Sequence, residues 1–218
     1  MRLSQQLWAA NIGLAEAALG GRFVRGVADG TLPREVFAGY IAQDAHFLRS
    51  FARAYALCLA ASPDEPTLLA FADLITGVRE ELGLHAAYAA HWGVDPHGTP
   101  PAPATLAYTD FLLATAATAG LGVTCAAMTP CMRLYAHLGQ VVAAARAPAG
   151  PYAGWVQTYA DPAFAALAAR LEGLLDQYGQ HGPQVRSAYR RAMQLEVGFF
   201  EAAFVGCAAA GTAGEAPA

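Results

Sequence analysis

The sequence contains no lysine, so all 13 of its basic residues are arginines. This absence excludes Schiff-base catalysis by lysine and a lysine-dependent phosphate loop. The formal net charge is −4 and no basic cluster occurs, which argues against a nucleic-acid partner. No apolar run reaches 18 residues without a charged or polar interruption, so no membrane span is predicted. The N-terminal residues lack a signal-peptide core, and we therefore expect a cytoplasmic protein.

Several catalytic and metal-binding motifs are also missing. The sequence has no Gly-x-Ser-x-Gly, no glycine-rich phosphate loop and no Glu-x-x-His of the kind that di-iron bundles use. Glu81 and His85 are spaced by four and could share a metal, but the charges around them equally fit a solvent-exposed helix face. His46 and His137 are candidate haem ligands by their presence alone. Because a second ligand cluster is missing, we expect no metal and no organic cofactor.

What is present favours helices. Hydrophobic residues make up 56% of the chain, alanine is abundant, and strand-forming β-branched residues are sparse. Glycine and proline divide the chain into predicted helices, with Thr31 as the expected cap of the third segment. These segments cover residues 3–19, 23–27 (a short piece), 33–61, a helix that opens within 62–66 and runs to 92, and then 104–119, 122–146, 151–160, 162–179 and 183–208. We predict one all-α domain of about eight helices over residues 1–208, with a core pocket, and a disordered tail over 209–218.

One cysteine lies in an unusual context. Cys131 follows Pro130 inside an apolar helical segment, and Tyr135 lies one turn later on the same helix face. Proline removes a backbone donor and usually kinks a helix. The pair is either a thiol and a phenol that face a common cavity or ordinary buried core. The other cysteines lie in apolar helical runs without a nearby base, and we expect them to be reduced and structural: Cys58, Cys125 and Cys207.

Two carboxylates stand among apolar residues of predicted helices, where burial of a lone charge is costly. They are Asp44, between Tyr40 and Phe51 on the helix face, and Glu196, in an apolar run near the C-terminus. Each could pair with one of the arginines or serve in catalysis. Taken together, two carboxylates, a thiol and several tyrosines would suit a nucleophile, a general acid and hydrogen-bond donors around a flat polar ring.

Segments over nearly the whole chain resemble, in order, those of the TenA family of thiaminase II enzymes. The segments are residues 23–33, 40–48, 51–54, 127–135 and 152–161, and Glu196–Phe200 resembles the family's Glu-x-x-Phe-Trp pattern. The resemblance implies an all-α fold related to haem oxygenase, without haem, and a homotetramer. It also implies hydrolysis at the bridging methylene of a thiamin-type pyrimidine. The products would be hydroxymethylpyrimidine and either ammonia or the thiazole.

The resemblance assigns roles to individual residues. Cys131 matches the nucleophile, Glu196 matches the residue that moves a proton to the leaving amine, and Asp44 matches the carboxylate that binds the aminopyrimidine edge. The matching pocket residues are Tyr108, Tyr135 and Tyr159, while Phe47 stands where many members have tyrosine. One pocket hydroxyl is therefore missing, which leaves substrate preference open.

Two other functions remain open from the sequence. The first is an oxidase on the same scaffold, either cofactorless or di-iron. The second is a regulatory or binding protein that holds a pyrimidine without turning it over. Bound iron would favour the first of these and lack of turnover the second.

Overall fold

A computed structural model describes residues 1–93, 95 and 98–211, with residues 91 and 206–211 described by their backbone only. These residues form ten α-helices and no strand, which confirms the all-α prediction and exceeds the expected count of eight. The helices are α1 (Leu3–Ala10), α2 (Ile12–Leu19), α3 (Arg22–Asp29), α4 (Arg34–Ala60), α5 (Glu65–Trp92), α6 (Pro103–Thr118), α7 (Leu121–Ala145), α8 (Ala153–Ala160), α9 (Pro162–Tyr178) and α10 (Pro183–Gly211).

The first predicted helix is divided at Asn11 into α1 and α2. The Asn11 side chain donates to the carbonyl of Leu7 at 2.8 Å and its backbone N–H contacts Trp8 O at 3.0 Å. Asparagine competes in this way for helix-terminal backbone groups. The prediction that Thr31 caps α4 is wrong, because Pro33 occupies the N-cap position without a side-chain cap.

The core is formed around α4, α7 and α10. Helix α7 packs against α8, α9 and α10, while α4 packs against α5, α6 and α10. Helix α7 continues through Pro130, and Thr129 Oγ1 donates to the carbonyl of Cys125 at 2.7 Å. The inward faces of these three helices carry most of the candidate site residues.

Helix α5 begins and ends as predicted. Asp64 Oδ1 accepts the backbone N–H of Thr67 at 2.9 Å, and Gly93 ends the helix with a φ of 68°. A buried stripe runs along α5 through Phe71, Leu74, Val78, His85 and Ala89, at the three- and four-residue spacing of a helix face. His85 is 4% exposed, so the expectation of a solvent-exposed face at this residue is wrong.

At the C-terminus, α10 extends three residues beyond its predicted end at 208. The remainder of the predicted tail, residues 212–218, lies outside the described residues, as does the side chain of Cys207. The assignment of residues 1–208 to one domain stays a prediction. Within the described part of the chain, no helix combines the length and apolar character that crossing a membrane requires.

Candidate active site

The seven residues to which the resemblance assigns a place in the site are all buried, each at most 8% exposed. They come from five helices: Asp44 and Phe47 from α4, Tyr108 from α6, Cys131 and Tyr135 from α7, Tyr159 from α8, and Glu196 from α10. The hydrogen bonds and ring contacts given below join them in two groups, and the charges of Asp44 and Glu81 act on Cys131 and Glu196, so that the two groups form one interior cluster. The structure therefore brings together residues that are up to 152 positions apart in sequence, from Asp44 to Glu196.

A thiol and a carboxyl group form the first part of the cluster. The Cys131 thiol and the Glu196 carboxyl group lie close enough to shift each other's pKa, and Tyr108 Oη donates to Glu196 Oε1 at 2.7 Å. Burial, reinforced by the nearby Glu196, raises the pKa of the Cys131 thiol well above its usual value. Burial also raises the pKa of Glu196 to about 8, although the hydrogen bond from Tyr108 lowers it. At neutral pH the thiol is protonated and Glu196 is mostly neutral.

An ion pair forms the second part. His85 Nε2 lies 2.6 Å from Asp44 Oδ2, and both side chains are 5% exposed. Burial alone would lower the pKa of His85, but the charge of the adjacent Asp44 carboxylate outweighs it and raises the pKa to about 9. Tyr40 Oη lies 3.5 Å from the same Asp44 oxygen. Asp44 is thus paired with a histidine of the neighbouring helix α5.

A second carboxyl group of α5 lies beside this pair. Glu81 is half-buried, and its Oε1 accepts a hydrogen bond from Tyr159 Oη at 2.6 Å. Burial raises the pKa of Glu81 to about 7; the charge of His85 lowers it, and that of Asp44 raises it. The expectation of a solvated face is therefore also wrong for the Glu81 carboxylate.

Aromatic rings enclose these polar groups. The rings of Tyr135 and Tyr159 meet edge to face with centroids 4.7 Å apart. Tyr135 Oη lies 3.3 Å from Tyr40 Oη, which also accepts a hydrogen bond from Trp155 Nε1 at 3.2 Å. Such rings can stack on a flat heterocycle and supply hydroxyl donors at its edge.

Phe47 packs against the ring of Tyr108 at a centroid distance of 4.8 Å. It also contacts Phe51 at 5.3 Å and Phe199 at 6.0 Å. Phe47 therefore contributes only an apolar surface to the cluster, where a tyrosine would add a hydroxyl group.

A cavity of about 480 Å³ lies beside the cluster, between α5, α8 and α9. Glu81 and Met132 are in its wall, and so are Tyr88 and Phe164, whose ring contacts Tyr159 edge to face at 5.0 Å. The cavity reaches the cluster at the Glu81 carboxylate. A volume of this size accommodates a small organic molecule.

Three groups of the cluster are potential metal ligands. The ligand atoms of Asp44, Glu81 and His85 lie within 4.8 Å of one another. However, His85 Nε2 lies only 2.6 Å from Asp44 Oδ2, too close for a metal ion between the two atoms, and Nδ1 contacts the Glu81 carbonyl oxygen at 2.9 Å. The donor set in this state fits an ion pair better than a metal.

The candidate haem ligands lie in other contacts. His46 Nε2 lies 2.7 Å from the carbonyl oxygen of Thr99. The ring of His137 meets that of Trp8 edge to face at 5.2 Å. Neither histidine has a described contact with the residues of the cluster.

The helical arrangement and the buried cluster define a haem-oxygenase-like all-α protein. A Shewanella denitrificans domain of unknown function with a heme oxygenase-like fold aligns with a TM-score of 0.71 at 16% identity, covering 94% of this chain and 93% of that one. Residues 21–204 match the sequence model of the TENA/THI-4/PQQC family. The chain belongs to this family.

Individual relatives are similar over most of the chain. The Arabidopsis thaliana bifunctional TH2 protein, mitochondrial, is 36% identical over 203 residues, which cover 81% of this chain and 33% of that protein. The aminopyrimidine aminohydrolase of Halalkalibacterium halodurans is 33% identical over 168 residues, which cover 74% of this chain and 75% of that one. This chain spans only about a third of the length of the Arabidopsis protein.

Among solved structures, a TenA family transcription regulator from a Silicibacter species aligns with a TM-score of 0.85. It is 29% identical, and the alignment covers 91% of this chain and 95% of that one. The names of the relatives thus include both a hydrolase and a regulator.

Sequence reasoning did not identify three residues of the cluster. His85 was considered only as a metal ligand or a surface residue, and Tyr40 and Trp155 were given no role. The sequence signal for His85 was its place in the row of apolar residues spaced by three and four along α5, which the structure shows to be buried. For Tyr40 it was the four-residue spacing from Asp44.

Proposed function

We propose that this protein hydrolyses aminopyrimidines of the thiamin type and releases hydroxymethylpyrimidine. The observation that carries the proposal is the buried Glu196 carboxyl group, which accepts a hydrogen bond from Tyr108 Oη at 2.7 Å and lies beside the buried Cys131 thiol. The relatives named aminopyrimidine aminohydrolase, from Halalkalibacterium halodurans and Bacillus subtilis, support it. A homotetramer and a cytoplasmic location remain predictions from the resemblance and the sequence.

The proposed reaction begins at the thiol. Burial keeps Cys131 protonated, so the thiol needs a base at the moment of attack. The ionised form of Glu196 accepts this proton while sulfur bonds to a ring carbon of the pyrimidine. Because its pKa is about 8, Glu196 can both accept and donate a proton near neutral pH.

Glu196 then returns the proton to the leaving group. The bond between the methylene carbon and the amine nitrogen breaks as Glu196 protonates the amine, so ammonia leaves as a neutral molecule. Water adds its hydroxyl group to the methylene, its remaining proton returns to the enzyme, and the carbon–sulfur bond breaks to restore the thiol. The net change is exchange of an amino group for a hydroxyl group, with no oxidant or reductant.

Asp44 is the proposed binding group for the substrate. A buried carboxylate accepts hydrogen bonds from an exocyclic amino group strongly, because charge-assisted hydrogen bonds are about twice as strong as neutral ones. The rings of Tyr135 and Tyr159, in contact at 4.7 Å, provide the aromatic surface against which the pyrimidine packs.

The test is release of hydroxymethylpyrimidine from aminomethylpyrimidine and from thiamin, measured with the wild type and with Cys131→Ser. We expect the serine variant to fold normally and to lose about three orders of magnitude in turnover or more, as for a nucleophile that acts as part of a unit. Cys58→Ala and Cys125→Ala are the controls, because both thiols are buried in apolar surroundings, and both variants should keep most activity. Near-normal turnover by Cys131→Ser would remove this residue from the mechanism.

The second candidate is an oxidase on the same scaffold, because Asp44, Glu81 and His85 lie close together, although their contacts fit an ion pair better than a metal. Addition of a chelator followed by iron distinguishes the two. Hydrolysis through Cys131 should be unaffected by either treatment, whereas loss with the chelator and recovery with iron would favour the oxidase. A protein that binds the pyrimidine without turning it over would instead be a regulatory or binding protein.

A further inference from the structure

The proposed reaction assigns no role to the buried histidine His85. It lies on α5, its side chain is 5% exposed, and it contacts the one carboxylate assigned to substrate binding. Burying a histidine in this way is costly unless both ring nitrogens have partners. Nδ1 lies within hydrogen-bond distance of a carbonyl oxygen of α5 itself, whereas Nε2 has a short ion-pair contact to α4 that is not aligned as a hydrogen bond.

The geometry defines the charge of the ring. Nδ1 lies 2.9 Å from the carbonyl oxygen of Glu81, an atom that only accepts hydrogen bonds, and Nε2 lies 2.6 Å from Asp44 Oδ2. A neutral imidazole has a single N–H and could satisfy only one of them. Opposite the Asp44 carboxylate, an ion-pair contact as short as 2.6 Å is attractive only if Nε2 also carries a proton, so the geometry fits an imidazolium.

The same contact orients Asp44. In the described part of the chain, the contacts shown for this carboxylate, from His85 Nε2 and Tyr40 Oη, are both to Oδ2. They leave Oδ1 for a ligand and hold the plane of the carboxylate in one direction. Because both contacts are to the same oxygen, the carboxylate is held in one orientation and its other oxygen stays available for a ligand.

The charged groups around His85 support this arrangement. Asp44 faces it from α4 and is itself contacted by Tyr40, Glu81 and Tyr88 belong to its own helix, and Tyr159 of α8 is hydrogen-bonded to Glu81. The carboxylates of Asp44 and Glu81 are both close enough to favour a cation at this position. Among the groups named here, His85 is the one that can carry positive charge.

We propose that His85 is a positioning residue that holds the Asp44 carboxylate by its Oδ2 atom and aims Oδ1 at the amino edge of the pyrimidine. The inference rests on the proposed function, because it concerns how that substrate is held. His85 itself makes no contact with the reacting atoms; it acts through Asp44.

The experiment measures equilibrium binding of hydroxymethylpyrimidine by calorimetry, which does not depend on turnover. The variants are His85→Leu, His85→Gln, Asp44→Asn and the double variant His85→Leu/Asp44→Asn. We expect His85→Leu to weaken binding at least about tenfold, as befits loss of a buried ion-pair contact. His85→Gln, whose amide can still donate to Asp44 Oδ2, should restore part of the loss.

The double variant separates positioning from a general structural effect. If His85 acts through Asp44, the double variant should bind no more weakly than Asp44→Asn alone. Nitrogen NMR of labelled histidine gives a second readout. Both ring nitrogens of His85 should be protonated at pH 7.5 in the wild type, and Asp44→Asn should convert the ring to the neutral form. His137→Leu is the matched control, because His137 packs against Trp8 outside the cluster.

Several results would overturn the proposal: unchanged affinity in a folded His85→Leu variant, additive losses in the double variant, or a neutral His85 ring in the wild type. The outcomes for the proposed function differ. A wild type that binds the pyrimidine without hydrolysing it contradicts the hydrolysis but not the positioning role. A wild type that binds no aminopyrimidine contradicts both.

Discussion

At Glu196, burial and hydrogen bonding act in opposite directions on one proton. Burial raises the pKa to about 8, against the hydrogen bond from Tyr108, which lowers it. Below this pKa the carboxyl group is neutral and cannot accept the proton of the Cys131 thiol. We therefore expect kcat to rise with pH towards about 8 and Glu196→Gln to lose both most of the activity and this limb of the profile.

The matched control for this prediction is Glu201→Gln on the same helix. Glu201 is exposed and forms a surface ion pair with Arg22 at 3.0 Å, so the change should leave kcat and its pH dependence unaltered. A Glu196→Gln variant with a raised KM and an unchanged kcat profile would make Glu196 a binding residue instead of the proton carrier.

The sequence predicted some of these residues for a clear reason. Asp44 and Glu196 are carboxylates on otherwise apolar helix faces, and that contrast is visible without a structure. The role of His85 was not predictable in the same way, because the Arg79, Glu80 and Glu81 neighbours suggested a solvated face. Its burial depends on how α5 packs against α4, and its charge depends on a partner from α4, so neither follows from the local sequence.

Among the helices, α7 and α8 approach each other unusually closely at Gly139. A Cβ atom built there would lie 2.4 Å from the backbone carbonyl carbon of Tyr159 and 2.6 Å from the Ala160 nitrogen. No side-chain rotation can relieve a contact with backbone. The absence of a side chain at Gly139 thus permits α8 to place Tyr159 in the cluster.

We expect Gly139→Ala to destabilise the fold by about 2–3 kcal/mol, the upper part of the range for overpacking. Because the clash moves the backbone of Tyr159, activity should fall as well. Thermal unfolding and turnover measure the two effects. Gly173→Ala on α9 is the control: that site has open space for a Cβ, so the helix should gain about 0.5–1 kcal/mol. Equal stability of the two variants would contradict the close approach.

Helix boundaries were predictable where glycine or proline marks them. Gly93 ends α5 with a positive φ, and Pro162 begins α9 after the capping Asp161, all in agreement with the predicted segments. The division at Asn11 was missed because asparagine is tolerated within helices and its hydrogen bond to Leu7 depends on local backbone geometry. Composition showed the helical class, whereas single polar residues determined the helix count.

For the whole molecule, the buried titratable groups predict how stability depends on pH. Folding raises the pKa of Glu196 to about 8 and of Glu81 to about 7, each from 4.5, and that of His85 to about 9 from 6.5. In each case the folded state binds more protons than the unfolded state between the two values. The free energy of unfolding should therefore fall as pH rises from about 5 to about 9.

Thermal unfolding at constant ionic strength checks this slope. We expect Tm to be several degrees lower at pH 8.5 than at pH 5.5, since about 1 kcal/mol corresponds to roughly 2–4 °C in a chain of this size. The lowered pKa of the half-buried His137 gives a smaller contribution of opposite sign. Glu81→Gln and Glu196→Gln should each flatten the slope. A Tm that rises over this pH range would mean that these carboxyl groups are ionised in the folded protein.

The burial of Cys131 also affects how fast its thiol is oxidised. Peroxide and disulfides react with thiolates far faster than with thiols, and Cys131 is only 8% exposed, with a raised pKa that keeps its thiol protonated. The group proposed to carry out the reaction is therefore shielded from oxidation between turnovers. In the proposed reaction the thiol loses its proton only to ionised Glu196, so the reactive thiolate does not accumulate.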